Sequence, residues 1–182
     1  QRDLDLTEKE GVDVVFAPDY SDNVGIYDPA AGTYTSGPAH GAGTDNAYNA
    51  AVLAPTGEVV LVPDEAATVG IYDPSTNSFT TGPAHGEGGN AFYGGALAPD
   101  GTIVFAPENA DHVGIYDPVA GTYTAGPTHG EGDDAFAGAV LAPDGTIVFA
   151  PDTSGNVGIY DPADRTYTAG PSHGQGASAF RG

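Results

Sequence analysis

Val24-Gly25-Ile26-Tyr27-Asp28-Pro29 returns as Val69–Pro74, Val113–Pro118 and Val157–Pro162, at offsets of 45, 44 and 44 residues. Working outward, each copy is followed by Gly-Pro-x-His-Gly, whose imidazoles are His40, His85, His129 and His173. Leu-Ala-Pro precedes three of the copies, at Leu53, Leu97 and Leu141, with a Gly three residues after its Ala (Gly57, Gly101, Gly145). The chain of 182 residues is therefore one unit written four times, approximately 1–47, 48–91, 92–135 and 136–182. A unit of this size cannot bury its own apolar surface, so neighbours must stack on one another.

Each unit reads as four short strands. Ala51-Val52-Leu53-Ala54 and its copies form the first. Pro-Asp-Gly follows in two copies (Pro99–Gly101, Pro143–Gly145), and Asp-Gly between apolar runs signals a hairpin, because Gly takes positive φ without a Cβ clash. Ile103-Val104-Phe105-Ala106 is apolar throughout, which predicts a strand covered on both faces. Pro107 ends it by removing a ladder donor. Val113–Tyr116 is the third strand, Asp117-Pro118 turns the chain, and Thr122–Ala125 is the fourth. A Gly-rich link (Gly126–Gly132) leads on. No window carries a sustained 3.6-residue pattern. The reading is all-β: four blades of about 44 residues in one β-propeller domain over residues 1–182. Phe180 falls in the place of Phe92 and Phe136, and Asp3-Leu4-Asp5-Leu6 alternates like a strand. A closed four-blade ring is the first expectation from these ends. Part of a larger propeller, or half of an eight-bladed dimer, is the alternative.

The repeat resembles the kelch-like and YVTN-type groups of β-propellers. Ala-Pro-Asp-Gly-Thr-Ile-Val-Phe, Val-Gly-Ile-Tyr-Asp-Pro and the aromatics Tyr34, Phe79, Tyr123 and Tyr167, seven residues beyond each Tyr, carry the resemblance. It implies a propeller fold and a general role in binding.

Charge narrows the partners. Asp and Glu number 25 against four Lys and Arg, a net charge of −21. Such a surface cannot neutralise phosphates, which excludes nucleic acid, and it opposes an anionic membrane. The Asp excess fits a protein built for high salt, where screening relieves self-repulsion. Cys is absent, so disulfides and thiolate chemistry are excluded. No apolar run approaches the ~20 residues of a membrane span. Met is absent as well, which reads as a processed chain or a fragment. Removal of a signal peptide then points to an extracellular or cell-surface location.

Candidate chemistry is sparse. Gly170-Pro-Ser172-His-Gly174 matches a nucleophile elbow, but its sisters carry Ala or Thr in place of Ser172 and no helix follows. His85-Gly-Glu-Gly88 lacks the Lys and helix of a phosphate loop. Acid-rich loops such as Asp19–Asn23 and Asp133-Asp134 lack calcium-loop spacing. His40, His85, His129 and His173 remain as candidate ligand-binding residues, because equivalent loops of stacked blades share one face and imidazole is a common metal ligand. The competing reading has each His brace its own loop. The expectations are a non-catalytic binding module for a protein or glycan, no catalytic residue and no resident metal or cofactor. The alternatives are a structural subunit of a homo-oligomer or filament, and a metal-dependent enzyme using the four histidines.

Overall fold

The computed structural model describes residues 13–43 and 45–180, and among these every regular element is a strand. The first sheet holds β1 (Val14–Phe16), β2 (Asn23–Asp28) and β3 (Thr33–Ala39). The second holds β4 (Tyr48–Leu53), β5 (Val59–Pro63), β6 (Thr68–Asp73) and β7 (Ser78–Ala84). The third holds β8 (Phe92–Leu97), β9 (Ile103–Pro107), β10 (His112–Asp117) and β11 (Thr122–Thr128). The fourth holds β12 (Phe136–Leu141), β13 (Ile147–Pro151), β14 (Asn156–Asp161) and β15 (Thr166–Ser172). All four are antiparallel meanders in chain order, the four blades of a β-propeller. The strand expected from Leu4 and Leu6 lies outside the described residues.

Local chemistry sets the turns. In the β8–β9 hairpin Gly101 has φ 89°, and its N–H donates to the Ala98 carbonyl at 3.0 Å. Asp100 Oδ1 accepts from the Thr102 N–H and hydroxyl at 3.0 and 2.7 Å, which closes the turn. After the third strand of a blade, Asp117 Oδ1 accepts from the N–H groups of Val119 and Ala120, both at 2.9 Å. This Asx turn explains why Asp-Pro recurs.

The outermost strand runs further than its sequence suggests. β11 continues through Gly126 and Pro127 to Thr128, stretches read from sequence as a link. Two features permit this. β11 is an edge strand, where a missing N–H leaves no ladder bond unmade. Its register also steps between Ala125↔Gly114 and Thr128↔His112, a bulge that takes up one extra residue. The same step recurs in the first, second and fourth sheets.

Three apolar cores lie between consecutive sheets. Val24, Ile26 and Val15 of the first sheet meet Tyr48, Val59 and Leu61 of the second. Val60, Val62 and Val69 of the second meet Phe92, Ile103 and Phe105 of the third. Val104, Ala106 and Val113 of the third meet Phe136, Ile147 and Phe149 of the fourth. β5 and β9 are buried at every position, as their unbroken apolar runs require. Among the described residues the first and fourth sheets do not pack substantially together. Among the described residues the four blades therefore form an open row.

Candidate functional site

The four repeated histidines occupy equivalent places at the blade junctions. In each, Nε2 bonds a backbone carbonyl nineteen residues earlier: His40 to Ser21, His85 to Ala66, His129 to Ala110 and His173 to Ser154, at 2.7–2.9 Å. In each, Nδ1 accepts the N–H two residues on, at 3.2 Å. A carbonyl can only accept and an N–H can only donate, so all four rings hold the Nε2–H tautomer. Neither nitrogen presents a lone pair to an ion without breaking one of these bonds. Among the described residues no three His, Asp or Glu gather in a way that could hold a metal ion. The rings instead sit edge-on against aromatics, His85 on Phe92 and Tyr123, His129 on Phe136 and Tyr167, with centroids 5.6–6.1 Å apart.

A carboxylate completes two junctions. The Tyr123 hydroxyl donates to Glu87 Oε1 and the Tyr167 hydroxyl to Glu131 Oε1, each at 3.3 Å. Burial, and then the adjacent Glu charge, push both phenols well above their ordinary range, so they stay neutral donors. His112 Nδ1 lies 3.3 Å from Glu87 Oε2. Ser172, the elbow look-alike, ends β15 and gives its hydroxyl to the Gly155 carbonyl at 3.0 Å.

A recess lies along the first strands of the blades. β4, β8 and β12 run side by side, and a Cβ on Gly94 would come within 2.8 Å of the Gly138 Cα, so position 94 requires a glycine for this approach. They line a groove of about 480 Å³ whose wall includes Asn49, Tyr93, Gly94, Ala137, Gly138 and Val140. Tyr93 is 40% exposed there. Asn49 Nδ2 donates to Asp64 Oδ2 at 3.0 Å. Asp64 is buried, and its Oδ1 has no hydrogen-bond partner. Desolvation, followed by repulsion from Glu65, pushes its carboxyl from 3.8 to about 6, against the opposing Asn49 bond. Sequence reasoning missed Asn49, Tyr93 and Asp64. Asn49 and Tyr93 hold the same place in their strands but are different residues, so the repeat does not point to them. Asp64 follows Pro63 in a loop that reads as solvent-facing.

No family model matches the sequence, and no curated protein matches it. Solved structures do. A streptogramin B lyase is 18% identical with a TM-score of 0.74, over 91% of this chain and 52% of that one. Virginiamycin B lyase from Staphylococcus aureus is 16% identical with a TM-score of 0.68, over 90% of this chain and 56% of that one. An auxiliary nutrient binding protein from Bacteroides ovatus is 16% identical with a TM-score of 0.67, over 94% of this chain and 41% of that one. The chain thus spans about half the length of the structures it matches. These neighbours correct the expectation that the chain is not an enzyme, since two of them are lyases. The expectation rested on missing sequence motifs. In stacked blades, groups from different repeats converge at the axis and leave no contiguous motif to find. At this level of identity the likeness shows the fold, and that fold is the β-propeller.

Proposed function

We propose that this β-propeller is a ligand-binding module whose groove along β4, β8 and β12 takes an uncharged glycan, at or outside the cell surface. The observation that carries the reading is the wall of that groove. Tyr93 offers a half-exposed ring on which a sugar face stacks, Asn49 offers an amide beside it, and glycines leave room for a bulky ring. A charge of −21 repels anionic ligands, which favours a neutral one. The Bacteroides ovatus neighbour is a nutrient binding protein, which agrees with a binding role. No helix among the described residues is long and apolar enough to cross a membrane. The histidines act in this reading as braces of the blade junctions, and kinship with kelch-like or YVTN-type repeats remains part of the proposal.

Calorimetric titration against a panel of neutral oligosaccharides tests it. Gly138→Leu fills the groove; a Cβ there meets only Ala150, at 3.9 Å, and circular dichroism checks that the variant keeps its β spectrum. Binding should vanish in Gly138→Leu and fall about tenfold or more in Tyr93→Ala, the loss of one stacking contact. Unchanged affinity in Gly138→Leu would overturn the assignment. Mass spectrometry of the sugars after incubation reads any turnover in the same groove.

A further inference from the structure

Each internal junction joins two different faces, and the described residues leave one copy of each uncovered, at the two ends of the row. The forward face of a blade is built from positions such as Val104, Ala106 and Val113, which are fully buried between the third and fourth sheets. Their counterparts in the fourth sheet are Val148, Ala150 and Val157, all partly exposed. The rear face is built from positions such as Phe105, Phe149, Tyr116 and Tyr160, which are 0–1% exposed. Their counterparts in the first sheet are Phe16, 49% exposed, and Tyr27, 36% exposed.

The polar and aromatic details are divided in the same way. His173 stacks on Phe180 at 5.2 Å, as His129 stacks on Phe136, but among the described residues no third ring completes the set. Gln175 donates its N–H to His173 Nδ1 as Glu131 does to His129, and so holds the place of the tyrosine's acceptor. The matching tyrosine is Tyr34, 61% exposed at the other end of the row. Where the aromatic is Phe79, which has no hydroxyl, the acceptor position is Ala42, so the two positions change together. Gly114 and Gly158 are each covered by the aromatic that opens the blade, Phe92 and Phe136. For Gly25 the nearest atoms among the described residues belong to Phe16 and Tyr34 of its own sheet.

We propose that a second copy of this chain docks head to tail on the first, with the rear face of its first blade against the forward face of the other's fourth blade. Tyr34 of one copy then completes the His173–Phe180 stack of the other, its hydroxyl meeting Gln175, and Phe180 covers Gly25. The interface is the internal blade junction repeated between chains. In this proposal two rows docked at both ends close one ring, and blades of each copy wall a shared axis.

Light scattering on the purified 182-residue chain in molar NaCl tests this, with salt screening the charge of two chains brought together. The expected mass is twice 18.2 kDa. A mass of 18.2 kDa at about 100 µM protein, or a ladder of higher multiples, overturns the closed pair. Phe16→Glu spoils only the rear face and Val157→Glu only the forward face, so each variant alone should be a monomer with an unchanged circular dichroism spectrum. Mixed in equal amounts they still own one good face of each kind and should recover a dimer. Failure of the mixture to associate, or dimers persisting in either variant alone, overturns the head-to-tail geometry. Should both variants lose their β spectrum, Tyr34→Ala, at an exposed ring, replaces Phe16→Glu and Gln175→Ala replaces Val157→Glu. Each should then weaken the dimer at least about fivefold, and unchanged association in both overturns the proposal.

Discussion

Arg165 holds φ at +55°, in the turn slot that Gly32 and Gly121 fill elsewhere at +67° and +66°. A side chain costs about 1 kcal/mol in that region, while Gly does not. Arg165→Gly should therefore stabilise the fold by roughly that amount, and a denaturation midpoint that fails to rise would contradict it. Asp64 gives a pH signature. Its carboxyl is raised in the folded protein to about 6, so its contribution is fully present below the ordinary value of 3.8 and is lost as pH rises through 6. Asp64→Asn should leave stability near pH 4 almost unchanged and raise it at about pH 7.5 by on the order of 2 kcal/mol. Parallel pH profiles of variant and wild type would rule this out. The slot held by Arg165 is legible in sequence only where Gly or Asn marks it. The second left-handed slot, at Asn46, Asn90, Asp134 and Ser178, carries no glycine and is legible only in the structure.

At the scale of the strand, junction geometry decides what a substitution costs. A Cβ on Gly114 would lie 2.9 Å from the Phe92 ring and from Phe105. Gly114→Ala should cost about 1–3 kcal/mol by overpacking, read as a lower denaturation midpoint at constant slope. The histidines should grade by burial. His129→Ala strips the partner from the buried Ala110 carbonyl and empties a buried site, and should cost about 1–3 kcal/mol, while His173→Ala removes a half-exposed ring whose Gln175 partner lies at the surface and should cost less. Equal losses at both sites would remove the bracing role. That each His follows Gly-Pro-x was plain in the sequence. That both ring nitrogens are engaged within the chain was not, because their partners include a carbonyl nineteen residues back.

Over the whole molecule, charge and stacking dominate. A net charge of −21 on 18.2 kDa makes screening stabilising, so the melting temperature should climb from low to molar NaCl. A flat or falling response would remove the case for a high-salt surface. The strand order, the all-β character and the four sheets were readable from the repeat, since apolar runs and turn residues recur in register. The open row was readable only as the alternative to a closed ring. Ring closure depends on the angle between packed blades, and that angle comes from side-chain volumes in three separate cores. The groove was invisible, because Asn49, Tyr93 and Ala137 belong to three repeats and meet only when the blades stack.

The sequence by itself determined the unit: which residues pair within a blade, where the hairpins turn, and that each face must find another blade. Those are local matters of φ, hydrogen-bond donors and apolar periodicity, written within one repeat of about 44 residues. The tertiary structure alone decided how the units relate. It engages the histidines in their own junctions, buries Asp64 beside Asn49, opens a groove between β4, β8 and β12, and leaves Phe16 and Val157 facing outward at opposite ends. Each of these follows from distances between residues of different repeats, and four nearly identical units carry no record of those distances.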